Sequence, residues 1–285
     1  MIEVKHRNTG EVLASIDADS LAGADMKELE LGGADFREVD LRGASFWRSD
    51  LSGADLTGAN LEGANLQGSR LEGALLCRAN LTRARLGTSS CACGAVLDGA
   101  DLSEANLLAA HLSNAEIRGA NLDRAYLCNA DMRRADLRGS RMREAKVRRA
   151  LLIGADLGDT DLTNADFRDS HLNDVNLRRA KLRGADLSSM KKAGGFTVLN
   201  LANLEGADLE GADLRGILAE DTDFRNANLT GANFSGAVLS GAIFRRANVT
   251  DADFSDVELA SVTMDYANFS KARNAEIPPY KQRVR

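Results

Sequence analysis

Three histidines, four cysteines and a dense block of arginines are the residues of this 285-residue chain whose types could do chemistry. Cys91 and Cys93 have one residue between them, whereas a zinc site takes four ligands in a tetrahedron and usually spaces paired cysteines by two. Cys77 is the nearest other thiol in sequence and Cys128 stands apart, so no metal site is expected. His6, His111 and His171 are far apart in sequence and read as surface residues. Carboxylates are abundant but recur at one fixed spacing, as at Asp55, Asp101 and Asp136, so no pair stands out as a general acid and base. Nucleophile signatures, phosphate-cradling loops and cofactor fingerprints are missing, and neither catalysis nor a cofactor is expected. The sharpest local feature is basic: Arg133, Arg134, Arg138, Arg141, Arg143, Arg148 and Arg149, with Lys146 among them, raise the question of nucleic-acid binding.

What must position these residues is a repeat of period five. ADLTG, ANLEG and ANLQG follow one another from residue 54, and the pattern continues to ANFSK at 267–271. Central apolar residues run from Leu21 to Leu86, Leu97 to Leu187 and Leu199 to Phe269, making 48 repeats, and only Ala219 among them is small. Two residues before the centre, 34 of the 48 positions are Ala. Positions i−2 and i therefore face the same way with i−1 and i+1 outward, which is strand alternation, and the odd period demands a bend that resets it in every repeat. Gly at i+2, as in Gly53 and Gly58, and Asp or Asn at i−1 supply that bend. A 3.6-residue helix is excluded, because Leu at every fifth position would wander around it. Phe224, Phe234, Phe244 and Phe254, spaced by ten, favour four sides per coil, since they then alternate between two opposite walls.

Runs such as 54–68, 100–107 and 202–214 resemble the pentapeptide-repeat proteins over roughly residues 19–271. The resemblance implies an all-β fold, a right-handed quadrilateral β-helix with four repeats per turn and inward Leu, Phe and Ala. Forty-eight repeats would give about 12 coils and, at the strand separation, a rod roughly 55 to 60 Å long.

Solenoid ends expose unpaired edges and need covering. Residues 1–18 are assigned to an N-terminal hairpin cap, 19–271 to the β-helix and 272–285, with Pro278-Pro279, to a C-terminal cap or tail. The register slips at 87–96 by one residue and at 188–198 by two, and both segments, which carry Cys91, Cys93, Lys191 and Lys192, are expected to bulge as surface loops. The start, MIEVKHRNTGE, has no signal-peptide pattern and no apolar run is long enough to span a bilayer, so a soluble cytoplasmic protein is expected.

The net charge of −6 is uneven: residues 1–60 carry 6 basic and 12 acidic groups, residues 111–190 carry 15 and 12. In a 20-residue coil, Arg143 lies over Asp123, Lys146 under Asp166 and Arg149 under Asp169, which turns most of the basic belt into cross-rung charge pairs. His111 and His171 then lie three coils, about 14 Å, apart. The expected function is a non-enzymatic rigid scaffold that binds a protein partner. The alternative, implied by some members of the resembled family, is a DNA mimic that inhibits or protects a type II topoisomerase, DNA gyrase. Direct nucleic-acid binding and membrane association are not expected, and monomer and dimer both stay open. The candidate interaction surface comprises the seven arginines together with Cys91, Cys93, Lys191 and Lys192.

Overall fold

The computed structural model describes residues 1–88, 94–189 and 195–281. The chain forms two compact units, Met1–Ala145 and Lys146–Arg285. Both are built from the same bend.

One repeat shows the rule. Ala54 donates its N–H to Leu51 O at 3.0 Å, closing a four-residue turn whose third residue, Gly53, has φ 64°. A positive φ at that place marks a type II turn and explains the glycine preference at i+2. The i−1 carboxylate completes the bend: Asp50 Oδ1 accepts the Ser52 N–H at 2.8 Å, an Asx turn repeated at Asp55 to Thr57 and Asp101 to Ser103. Between bends the backbone pairs with neighbouring coils: Asp55 N–H donates to Ala34 O, Leu56 N–H to Leu75 O and Gly58 N–H to Cys77 O, at 2.8, 2.7 and 3.0 Å. Every amide in the repeat thus has a partner, which is what permits so thin a core.

Parallel bridges join residues twenty apart, as in Asp25 to Ser45, Asp35 to Asp55 and Asn60 to Asn80. The interior is the i−2 and i rows: Ala64, Leu66, Ala74 and Leu76 in the first unit and Ala180, Leu182, Ala232 and Phe234 in the second are fully buried. Leu122 and Leu137 are 1% and 0% exposed. Where Ser or Thr replaces the inward Ala, its hydroxyl finds a carbonyl; Ser49 Oγ donates to Met26 O at 2.6 Å and Thr222 Oγ1 to Leu199 O at 2.8 Å. In the second unit the phenylalanines spaced by ten separate onto two stacks, Phe224 on Phe244 at 4.8 Å and Phe234 on Phe254 at 5.1 Å, with edge-to-face contacts between the stacks.

The slips are larger than the repeat count suggests. Bridges pass from Arg70 to Val96 and from Arg85 to His111, an offset of 26, and from His171 to Val198 and Asp186 to Asp213, an offset of 27. Each insertion therefore adds six or seven residues, a whole repeat plus the one or two that the period of five reveals, and the extra repeat forms no side of its own. Residues 89–93 and 190–194 lie outside the described residues. The first insertion is pinched at its base by Ala95 N–H donating to Leu86 O at 2.6 Å. At the second, Thr197 N–H donates to Ser189 Oγ at 3.0 Å and Thr197 Oγ1 to Ser188 O at 3.2 Å.

At the start, β1 (Ile2–Lys5) and β2 (Val12–Ile16) form an antiparallel hairpin with Val4 opposite Ala14. His6 Nδ1 accepts the Asn8 and Thr9 N–H groups, each at 3.2 Å, inside its turn. The hairpin joins the first coil through Arg7 N–H to Gly33 O and Asp35 N–H to Lys5 O, both at 2.8 Å. At the other end Tyr280 Oη donates to Ala260 O and Lys281 Nζ to Leu259 O and Val262 O, at 3.0, 3.1 and 2.5 Å, so side chains meet carbonyls left without a further coil. Among the described residues no helix is long and apolar enough to cross a membrane.

Candidate interaction surface

The bend decides where the belt arginines stand. Arg133, Arg138 and Arg143 occupy i+1, beside the i−1 position of their own repeat, and Arg134 occupies the i+2 corner at φ 56°. Arg133 and Arg138 each reach two residues back, to Asp131 and Asp136, with Nη2–Oδ2 distances of 2.6 and 2.5 Å. Arg141 and Arg143 both close on Asp123 of the neighbouring coil at 2.9 and 2.6 Å, and the Arg143 N–H donates to Asp123 Oδ1 at 3.0 Å. The Arg143 pairing is the one that twenty-residue stacking anticipates. Arg124 links to Glu144 at 3.1 Å and Glu104 at 3.8 Å, and these side chains line a polar surface cleft of ≈ 450 Å³ with Ser103, Asn121, Asp123 and Arg143.

The carboxylates respond to two opposed influences. Burial alone would push Asp123 upward, but hydrogen bonds from Arg143 and the Arg141 charge hold its carboxyl below the ordinary range. Asp131 and Asp136 behave alike, with burial overcome by Arg133 and Arg138 respectively. These pairs stay ionised near neutrality and cancel much of the belt's charge locally.

In the second unit, Arg148 Nε meets Asp166 Oδ2 at 2.5 Å, Arg168 meets Asp166 at 2.8 Å and Asp186 at 3.1 Å, and Lys146 is the bridge partner of Asp166. The Asp166 side chain is only 5% exposed, and burial raises its carboxyl above the usual range despite these cations. Among the described residues Arg134 and Arg149 lie in no ion pair; the expected Arg149–Asp169 pair does not form. Both arginines sit at positive-φ corners, as does Asp169, whereas the corner arginines Arg124 and Arg179 reach the corner acids Glu144 and Asp159.

Cys91, Cys93, Lys191 and Lys192 lie outside the described residues. Cys77 is a free thiol, and Cys128 is 7% exposed although its register is outward. No group of three or more His, Cys, Asp or Glu residues that could hold a metal ion occurs among the described residues.

Sequence reasoning overlooked one wall of the second unit. Outward i−1 positions there carry Leu151, Val198, Leu218 and Val238 where the repeat elsewhere most often places Asp or Asn. The deviation is legible once the repeats are grouped by wall, and that grouping requires the true sizes of the insertions.

The model of the pentapeptide-repeat family matches the chain in overlapping stretches, 20–58, 54–90, 94–127, 110–149, 120–159, 150–188, 197–216, 202–246, 220–256 and 242–273. The chain belongs to the pentapeptide-repeat family, whose fold is a β-helix. Among solved structures it is similar to HetL, a pentapeptide repeat protein involved in heterocyst differentiation regulation in the cyanobacterium Nostoc, at 31% identity over 85% of this chain and 88% of that one, with a TM-score of 0.39. A pentapeptide repeat protein of the Arabidopsis thaliana thylakoid lumen is 33% identical over 43% of this chain and 70% of its own, with a TM-score of 0.22. Full-length QnrB1, a plasmid-mediated fluoroquinolone resistance protein, is 17% identical over 89% and 91%, with a TM-score of 0.21. No curated protein matches the chain.

Proposed function

We propose that the chain is a non-enzymatic, cytoplasmic protein-binding scaffold, a right-handed quadrilateral β-helix of about 12 coils between an N-terminal hairpin cap at 1–18 and a C-terminal cap at 272–285. The twenty-residue bridge register supports four repeats per coil, and the free Cys77 suits a reducing compartment.

The observation that carries the functional reading is the internal pairing of charge. Asp123 with Arg141 and Arg143, Asp131 with Arg133, Asp136 with Arg138, and Asp35 and Asp40 with Arg37 and Arg42 give walls on which opposite charges alternate. A duplex-binding surface needs unneutralised cations along one wall, and a mimic of duplex DNA needs a continuous row of unneutralised anions. Alternation serves neither and leaves a rigid wall on which a protein partner can be read by shape and local chemistry. Arg134 and Arg149, outside the ion pairs, are the belt residues open to such a partner, and Cys91, Cys93, Lys191 and Lys192 remain candidates on the inserted segments.

The competing reading, mimicry of DNA toward DNA gyrase, is tested directly. A supercoiling assay with the full chain in large excess is expected to leave gyrase activity unchanged, and a gel shift on duplex DNA at low salt is expected to show no complex. Dose-dependent inhibition of supercoiling, or protection from a gyrase poison, would replace the scaffold with the mimic. For the scaffold itself, in-cell photo-crosslinking from position 134 is expected to recover one dominant protein, and the same crosslink spread over many abundant proteins would count against it.

A further inference from the structure

The wall of the second unit that carries Leu151, His171, Val198, Leu218 and Val238 departs from the repeat in three ways at once. These five residues form a continuous parallel ladder, each bridged to the next, spanning about 19 Å at the usual strand spacing. Four of them are apolar at a position that elsewhere most often holds the turn-forming Asp or Asn. Around the ladder, Ile153, Phe196, Leu201 and Val238 are 40%, 43%, 63% and 39% exposed. Leu201 is also backbone-strained: it occupies the i+2 corner at φ 62°, where a branched side chain is disfavoured and where Gly, Asn or Asp commonly stands in this chain. An exposed leucine held in a left-handed conformation gains nothing for the fold, so its presence points to use.

Charge on the same wall indicates the user. Its repeats, 150–154, 170–174, 197–201, 217–221, 237–241 and 257–261, contain Asp174, Glu220, Asp221 and Glu258 and not one Lys or Arg. Among the described residues those four carboxylates lie in no ion pair, whereas Asp159, Asp166, Glu205, Glu210, Asp213 and Asp223 on the other walls each hold an arginine. Unneutralised acids beside an apolar stripe repel nucleic acid and anionic lipid surfaces. They also disfavour a second copy laid wall to wall, which would set carboxylates against carboxylates with no cation between.

Resting on the scaffold reading, the geometry points to this wall as the docking surface for a lysine- or arginine-bearing segment of a partner protein, whose apolar side chains cover Val198, Leu218 and Val238 while its cations meet Glu220 and Asp221.

The test uses the full chain and a fluorescein-labelled synthetic peptide of alternating lysine and leucine, titrated by anisotropy. Peptides alternating glutamate with leucine and lysine with serine are the comparisons. The lysine–leucine peptide is expected to bind best, and the comparisons to bind at least about tenfold more weakly. Val198→Ser/Leu218→Ser/Val238→Ser and, separately, Glu220→Gln/Asp221→Asn should each weaken it by about tenfold, with far-UV dichroism and melting unchanged. Asp208→Asn/Glu210→Gln, which removes the same charge from a different wall, should leave binding alone. Equal binding of the glutamate peptide, or equal loss in the Asp208/Glu210 control, overturns the proposal, as does a concentration-dependent dimer abolished by the triple serine variant, which would assign the wall to a second copy. A failed peptide titration alongside a specific crosslink from position 134 would remove this wall and leave the scaffold standing.

Discussion

Replacing Phe234 with alanine removes the ring at the centre of the aromatic column in the second unit. The side chain is fully buried, stacks on Phe254 at 5.1 Å with planes 5° apart, and meets the edges of Phe224 and Phe244 at 5.7 and 5.8 Å. A buried Phe→Ala change costs about 3 to 5 kcal/mol, and the upper part of that range applies because a coil tied to its neighbours by backbone hydrogen bonds on both sides cannot collapse into the void. With a urea m-value of about 2 kcal/mol/M, a loss of about 4 kcal/mol lowers the midpoint of the second unit's transition by roughly 2 M. Far-UV dichroism during urea titration reads the midpoint. Hydrogen exchange localises the damage: in a solenoid, where each repeat touches only its neighbours, the amides of residues 214 to 254 should lose protection while those of Leu56 and Leu66 in the first unit keep theirs. Combining Phe234→Leu with Phe254→Leu should reveal a coupling of about 0.5 to 1.5 kcal/mol for the stacked pair. A midpoint shift under about 0.5 M, equivalent to about 1 kcal/mol at that m-value, would refute the reasoning, since the rings would then not be what fills this interior.

Other consequences follow from the bends and the charges. Leu201→Asn should raise stability by up to about 1 kcal/mol in a thermal melt, because asparagine tolerates the left-handed corner that leucine resists, while weakening the lysine–leucine peptide. Gly94→Ala sets a methyl against the Asn114 carbonyl and should lower the melting temperature by several degrees, whereas Gly63→Ala, with open space around it, should cost only about 1 kcal/mol of backbone strain. Acid should lower stability in a defined window: the Arg42 guanidinium holds the Asp40 carboxyl at about 2, and hydrogen bonds from Ser255 and Asn274 hold Asp253 at about 2. Because these folded-state values lie below the unfolded range near about 4, their stabilisation is complete above that value and is lost as pH falls toward 2, which a melting series from pH 5 to pH 2 will show. Asp166, raised by burial, works in the opposite sense, so Asp166→Asn should widen the difference between neutral and acid stability, whereas Asp40→Asn should narrow it.

Much of the molecule was legible in the sequence because its energetics are local. Ala at i−2, Leu at i, Asp or Asn at i−1 and Gly at i+2 each answer to a constraint within five residues, namely an inward row, an Asx turn and a left-handed corner. Residues twenty apart therefore meet, and the Arg143–Asp123 pair could be anticipated from numbering alone. The phenylalanine spacing likewise foretold two stacks. What the tertiary structure decided is where that arithmetic breaks. A periodic sequence reports an insertion only modulo five, so six and seven extra residues read as one and two; bridges from Arg70 to Val96 and His171 to Val198 were needed to count them. Only with that count does Val198 fall in line with Leu151, Leu218 and Val238, and an apolar wall with unpaired acids emerge from residues that are unremarkable one repeat at a time. Side-chain reach was the other matter outside numbering: Arg133 and Arg138 turn back along their own strands while Arg141 crosses to Asp123, choices set by rotamer and by the nearest carboxylate, not by period.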